Sequence, residues 1–124
     1  MGFFSPSKKI QLPWISITSV EQLEEILHNV GSKPVLLFKH STRCSISIMA
    51  LNSFESKWEL SDEECEIYFI DLLKHRDVSN GIEALTGIIH QSPQAIVVRG
   101  KEVIYDATHS SIDAKRIESI IKKQ

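Results

Sequence analysis

The stretch Pro34-Val35-Leu36-Leu37-Phe38-Lys39-His40-Ser41-Thr42-Arg43-Cys44-Ser45-Ile46-Ser47 decides how the chain is read. It begins with an apolar run over Pro34 to Lys39, the mark of a strand covered on both faces. The polar residues His40 to Arg43 follow, and a helix opens near Cys44. Leu51, Phe54 and Trp58 stand at i, i+3 and i+7, with Ile48 one turn earlier. Cys44 therefore sits where a buried strand turns into a helix. Unpaired N–H groups and the helix dipole favour a thiolate there, and Arg43 adds positive charge beside it. His40 is also close in sequence. The thiolate is the nucleophilic form, so this is the placement a reactive cysteine requires. The plainer reading of a free cysteine is a small buried hydrophobe, and the polar run before Cys44 argues against it.

Working outward, residues 1–12 read as a flexible N-terminal arm and residues 13–124 as a single domain. Trp14 to Ile17 reads as a first strand. Thr18 and Glu21 form a capping box for a helix with Val20, Leu23, Leu27 and Val30 as its apolar stripe, and Gly31 as its stop. After Cys44 come a nearly all-apolar strand, Glu66 to Leu72, and a short helix marked by Val78, Ile82 and Leu85 and closed by Gly87. Ala95 to Val98 and Glu102 to Tyr105 form a hairpin across Arg99-Gly100-Lys101. Asp113 opens a last helix, with Ile117, Ile120 and Ile121 inward and Lys122 and Lys123 in the final turn, where they suit the dipole. The order β-α-β-α-β-α-β-β-α predicts an α/β fold with a central mixed β-sheet flanked by helices. It matches the thioredoxin-like fold.

Composition narrows the function classes. The chain has 124 residues, a net charge of −2 from 14 basic and 16 acidic side chains, and 42 % hydrophobic residues. That suits one globular core and argues against disorder. Without a basic face, no nucleic-acid partner is expected. No apolar run approaches a membrane helix, and Pro6 stands where a myristoylation signal needs Ser or Thr, so no membrane partner is expected. The expected location is the cytoplasm, where thiols stay reduced. Two cysteines cannot build a disulfide scaffold or, alone, a four-thiolate site, and none of the five histidines has metal-ligand spacing. Each histidine is read as solvated or in a supporting position, and no metal is expected.

Ser47 occupies the place of the second thiol in a two-cysteine motif, so Cys44-Ser45-Ile46-Ser47 cannot resolve a mixed disulfide internally. Cys65 precedes an apolar strand, has no basic neighbour and reads as structural. A general reductase in which Cys65 resolves Cys44 is an alternative, as is a non-catalytic module that holds a peptide in the same groove. A Cys-x5-Arg phosphatase loop is excluded because Ala50 stands where arginine is needed, and the Cys-Gly-Phe-Ser motif of cluster-binding glutaredoxins is absent. Ser92-Pro93 falls just before the hairpin. On the fold match, that bond is expected to be cis, with Pro93 facing Cys44.

Three segments together resemble the monothiol bacilliredoxins: Phe38 to Ser47, His90-Gln91-Ser92-Pro93-Gln94-Ala95, and Thr108-His109-Ser110. The likeness covers about residues 18–122. The family has proline after the cysteine where this chain has Ser45. The resemblance implies a thiol-disulfide oxidoreductase that removes bacillithiol from protein mixed disulfides, with Cys44 as nucleophile. Thr42, Arg43, Ser47, Ser92, Pro93 and His109 would support the site or bind substrate. No tightly bound cofactor is implied. Bacillithiol or another low-molecular-weight thiol would be co-substrate, and the partners would be S-thiolated cytosolic proteins and another redoxin or reductase.

Overall fold

The computed structural model describes residues 12–29 and 31–123. Its elements run β1 (Ile15–Ser16), α1 (Val20–His28), β2 (Val35–His40), α2 (Ser45–Lys57), β3 (Glu66–Asp71), α3 (Arg76–Thr86), β4 (Gln94–Arg99), β5 (Glu102–Thr108), one 3₁₀ turn (His109–Ser111) and α4 (Ala114–Lys123). The five strands form one mixed sheet in the order β1-β3-β2-β4-β5. β1 and β2 run parallel to β3, while β4 is antiparallel to both β2 and β5. This is the expected thioredoxin-like architecture.

β2 lies at the centre of the sheet, which is why its sequence is a continuous apolar run. All six of its residues are buried. Alternation divides them between two cores. Leu36 and Phe38 pack with Phe54 of α2, Trp58 at the end of that helix, and Ile117 and Ile121 of α4. Val35 and Leu37 pack on the other face with Leu23 of α1 and Val78 and Ile82 of α3. Trp14 closes the first core at the β1 side. Its indole N–H donates to Glu55 at 2.7 Å, and its rings lie 5.7 Å from those of Phe38, Phe54 and Phe69.

Several boundaries differ from expectation. The first helix is capped by Ser19, whose hydroxyl accepts the Gln22 N–H at 3.1 Å; Gln22 in turn accepts the Thr18 N–H at 2.9 Å. The Thr18 and Glu21 box is thus displaced by one residue, because Ser19 and Gln22 offer the same spacing. The helix is capped at Asn29, before Gly31. Val30 lies outside the described residues, as do residues 1–11 of the expected arm, whereas Leu12 packs against the α2–α4 core. Ile48 and Leu85 are exposed, so neither joins its helix's buried face. Gly87 does close α3, at φ 76°, the left-handed conformation glycine adopts without penalty.

Candidate active site

The sheet gathers the candidate residues at one edge. β2 ends there at His40 and leads through a turn into α2. Lys39 pairs with Gln94 and Gln94 with Thr108, so the start of β4 and the end of β5 meet the same edge. Ser92-Pro93 and His109 are the residues just beyond those strand ends. The Ser92–Pro93 bond is cis, and the Pro93 carbonyl accepts the His109 N–H at 3.0 Å. Buried Gln94 secures the preceding loop: its amide donates to the Ile89 carbonyl at 3.0 Å and accepts the Gln91 N–H at 3.3 Å. Nothing in the sequence marked Gln94 except its place after the proline.

Cys44 is the N-cap residue of α2, in extended conformation, and is partly exposed. Its N–H donates to the Ser41 carbonyl at 3.2 Å, and its own carbonyl accepts the Ile48 N–H at 3.0 Å. No side chain caps this helix. The N–H groups of Ser47 and then Ile46, at the start of the helix, hold the Cys44 thiol below the ordinary thiol range, with a smaller contribution from the Ser47 hydroxyl. This is the helix N-terminus acting on a thiolate. Arg43, expected from the sequence to share the task, is not among the causes. Both Arg43 and Thr42 are exposed on the turn, where solvent and salt screen a charge. Ser45, at the first helical position, also contributes nothing to the depression, so the family's proline there would remove no donor from the sulfur.

Ser47 is fully buried and Pro93 is buried beside the sheet edge. His109 adopts φ 54°, a left-handed conformation that costs a non-glycine residue about 1–3 kcal/mol. It lines a groove of about 510 Å³ between α2 and the 3₁₀ turn, together with Ile46, Met49, Ala50 and Ile112. The groove is largely apolar and begins two residues from Cys44.

Two buried polar residues of β2 were not foreseen. Lys39 is fully buried on the α3 side, its ammonium 3.2 Å from His90 Nδ1, which also lies 3.1 Å from the Ser79 hydroxyl. Burial drives Lys39 from its ordinary 10.5 down to about 8, with the Glu83 carboxylate opposing. His40 is 4 % exposed on the α2 side and is held below the ordinary histidine range by burial. On sequence alone Lys39 falls in the covered strand without a partner for its charge and His40 in the polar turn after it, because apolar patterning has no signal for a charged group inside a sheet.

Cys65 lies elsewhere. It is buried in the α2–α4 core immediately before β3, and burial pushes its thiol up to about 12. Glu66 pairs with Val35 and Asp71 with His40, so β2 separates the two cysteines. Five residue steps of strand span about 16 Å, and a disulfide needs Cα atoms within about 7 Å. Cys65 therefore cannot resolve Cys44 within this fold, which corrects that alternative.

Among the described residues, no helix is long and apolar enough to cross a membrane, and no group of three or more His, Cys, Asp and Glu could hold a metal ion.

Similarity to known proteins agrees with this geometry. A solved structure titled as a candidate oxidoreductase with a thioredoxin fold is 27 % identical. It superposes with a TM-score of 0.72 over 86 % of this chain and 92 % of its own. Thioredoxins from Malassezia sympodialis (16 % identity, TM-score 0.64, 87 % of each chain) and Trypanosoma brucei brucei (10 %, 0.66, 98 % of this chain and 96 % of that one) share the fold. The family model described as monothiol bacilliredoxin BrxC matches residues 15–117. A helix-capping cysteine, no second thiol in its motif and a cis-proline at the same sheet edge accord with that match, and the chain belongs to the monothiol bacilliredoxin family of thioredoxin-fold thiol oxidoreductases.

Proposed function

We propose that the protein removes a low-molecular-weight thiol, bacillithiol by family, from protein mixed disulfides. The observation that carries the proposal is the pairing of an activated Cys44 with the absence of a resolving thiol in reach. The Cys44 thiolate attacks the sulfur of the small thiol and forms a new disulfide with it. The protein sulfur leaves with the electron pair of the broken bond and takes up a proton. A second small thiol, or the thiol of another redoxin, then attacks the Cys44 adduct and frees it. The reaction is a chain of exchanges, so it needs no bound redox cofactor.

The test is a bacillithiolated protein incubated with the wild type and with Cys44→Ser. The wild type is expected to release bacillithiol and to be found as a Cys44 adduct by mass spectrometry. Equal release by both proteins would overturn the proposal. An adduct that forms with oxidised glutathione as readily as with oxidised bacillithiol would keep the reaction and discard the choice of thiol.

A further inference from the structure

The Lys39 ammonium is a buried polar group that the exchange chemistry leaves unused. It is fully buried near the end of the central strand, five residues before Cys44. Its hydrogen-bonding neighbour is His90 Nδ1 at 3.2 Å, and the Ser79 hydroxyl stands 3.1 Å from the same nitrogen. An ammonium only donates, so Nδ1 presents its lone pair and the neutral ring carries its proton on Nε2. His90 belongs to the connection between α3 and β4, which ends on Ser92 and Pro93. Side chains hold this connection. The Ile88 N–H donates to Thr86 Oγ1 at 3.2 Å, the His90 N–H to Glu83 at 3.0 Å and the Gln91 N–H to Gln94 at 3.3 Å. Gln94 and Lys39 are register partners in β4 and β2, and Ser79 and Glu83 stand one turn apart on α3. Lys39 thus joins the strand that leads to Cys44 with the loop that carries Pro93. Buried charges are ordinarily paired with an opposite charge, yet none of the ion pairs among the described residues includes Lys39. An apolar residue would fill this strand position at lower cost, so the contact with the loop is what the lysine adds.

We infer that Lys39 and His90 are positioning residues for the disulfide substrate: they brace the loop ending on Ser92 and Pro93 at the Cys44 edge of the sheet, and the brace releases when His90 takes up a proton. The inference rests on the proposed exchange at Cys44 and gives neither residue a contact with the reacting sulfurs. Protonation fills the Nδ1 lone pair and sets an imidazolium against an ammonium. The two cations repel and have no hydrogen bond between them. The charged groups that face His90 are Lys39 of β2 and Arg76 and Glu83 of α3. Burial, then Lys39 and Arg76, holds the ring below the ordinary histidine range, with Glu83 opposing. The contact is therefore intact at neutral pH and is lost as pH falls below the ordinary histidine value of about 6.5. Above about pH 8 Lys39 gives up a proton, but its amine still has an N–H to donate to Nδ1.

Steady-state release of bacillithiol from a bacillithiolated protein is measured for the wild type, Lys39→Met, His90→Ala and His90→Asn between about pH 5 and about pH 8. Iodoacetamide alkylation of Cys44 and thermal melts accompany each variant. Near neutral pH, Lys39→Met and His90→Ala should raise KM about tenfold. Their kcat and alkylation rates should change by less than about twofold, because the loop docks substrate and leaves the thiol alone. Asparagine keeps an acceptor near the Nδ1 position and does not titrate. His90→Asn should therefore recover most of what His90→Ala loses, and its KM should stay level on acidification. The KM of the wild type should climb at least about threefold by about pH 5. The ratio of these two proteins at each pH cancels the titrations of Cys44 and His40, which both carry. A role in folding alone would not make that ratio depend on pH. An unchanged KM in Lys39→Met and His90→Ala, or a ratio that is constant with pH, would overturn the brace and leave the exchange standing. An alkylation rate that falls in step with turnover would place the effect on the thiol and also overturn it. A wild type that releases no more bacillithiol than Cys44→Ser would overturn both the inference and the exchange on which it rests.

Discussion

Replacing Lys39 with methionine should stabilise the protein at neutral pH, and the gain should disappear as the solution becomes alkaline. Lys39 is fully buried on the central strand, with His90 Nδ1 its one hydrogen-bonding neighbour at 3.2 Å. Its displacement from 10.5 to about 8 corresponds to roughly 3 kcal/mol at ~1.36 kcal/mol per pH unit. The displacement is downward, so the ammonium is disfavoured in the folded state. Below about pH 8 both states are protonated and the full cost is present. Between about 8 and 10.5 the folded state releases the proton while the unfolded chain keeps it, and the cost fades. Methionine fills similar volume without the charge but forfeits the bond to His90, worth about 1 kcal/mol. Lys39→Met is therefore expected to be more stable by about 2 kcal/mol at pH 7, a rise of about 1 M in the urea midpoint. Buried Cys65 and Tyr68 are shifted upward and destabilise the fold at alkaline pH. They are common to both proteins, so the difference between the two stability curves isolates Lys39. Urea unfolding at intervals from pH 7 to about 10.5 measures it. A difference that stays constant over that range, or a variant less stable at pH 7, would refute the reasoning.

Two further substitutions address the site and the second cysteine. Ser45→Pro restores the family's residue at the first helical position, where proline's fixed φ suits a helix, and Ser45 supplies no donor to the sulfur. Stability should rise by about 0.5 kcal/mol with the pH profile of Cys44 alkylation unchanged, as read by thermal melts and iodoacetamide kinetics. A shifted profile would mean that the residue after the cysteine does tune the thiol. Cys65→Ala should leave thiol release intact and lower stability by about 1 kcal/mol, the loss of one packed sulfur in the α2–α4 core. Lost activity in a folded Cys65→Ala protein would reopen a role for that thiol.

The sequence showed this fold wherever one pattern had one reading. The run Pro34 to Lys39 carried the pattern of a doubly covered strand and β2 has it, and Gly87 ends α3 because no other residue adopts its backbone as readily. Where two patterns overlapped, sequence could not choose. Thr18 with Glu21 and Ser19 with Gln22 have the same capping spacing, and only the path of the chain out of β1 selects the second. The same holds at the site. Cys44 was legible from its place between strand and helix, because the N–H groups that act on it belong to that local turn. The burial of His40 and the partners of Lys39 were not, since they come from β3, β4 and the helices above and below, all distant in sequence. Arg43 was over-read for the opposite reason: adjacency in the chain says nothing about solvent screening.

The length of β2 between Cys44 and Cys65 also sets a rate law. Neither thiol of one chain can close on the other, so any disulfide at Cys44 has its second half on another molecule. Freeing Cys44 is then bimolecular, first order in the incoming thiol, and no intramolecular closure offers a rate that survives dilution. Under the proposed exchange, the fraction of Cys44 held as adduct would follow the ambient ratio of oxidised to reduced thiol, scaled by the exchange constant of Cys44. On that proposal, the length of one strand would make the molecule responsive to the composition of the thiol pool around it.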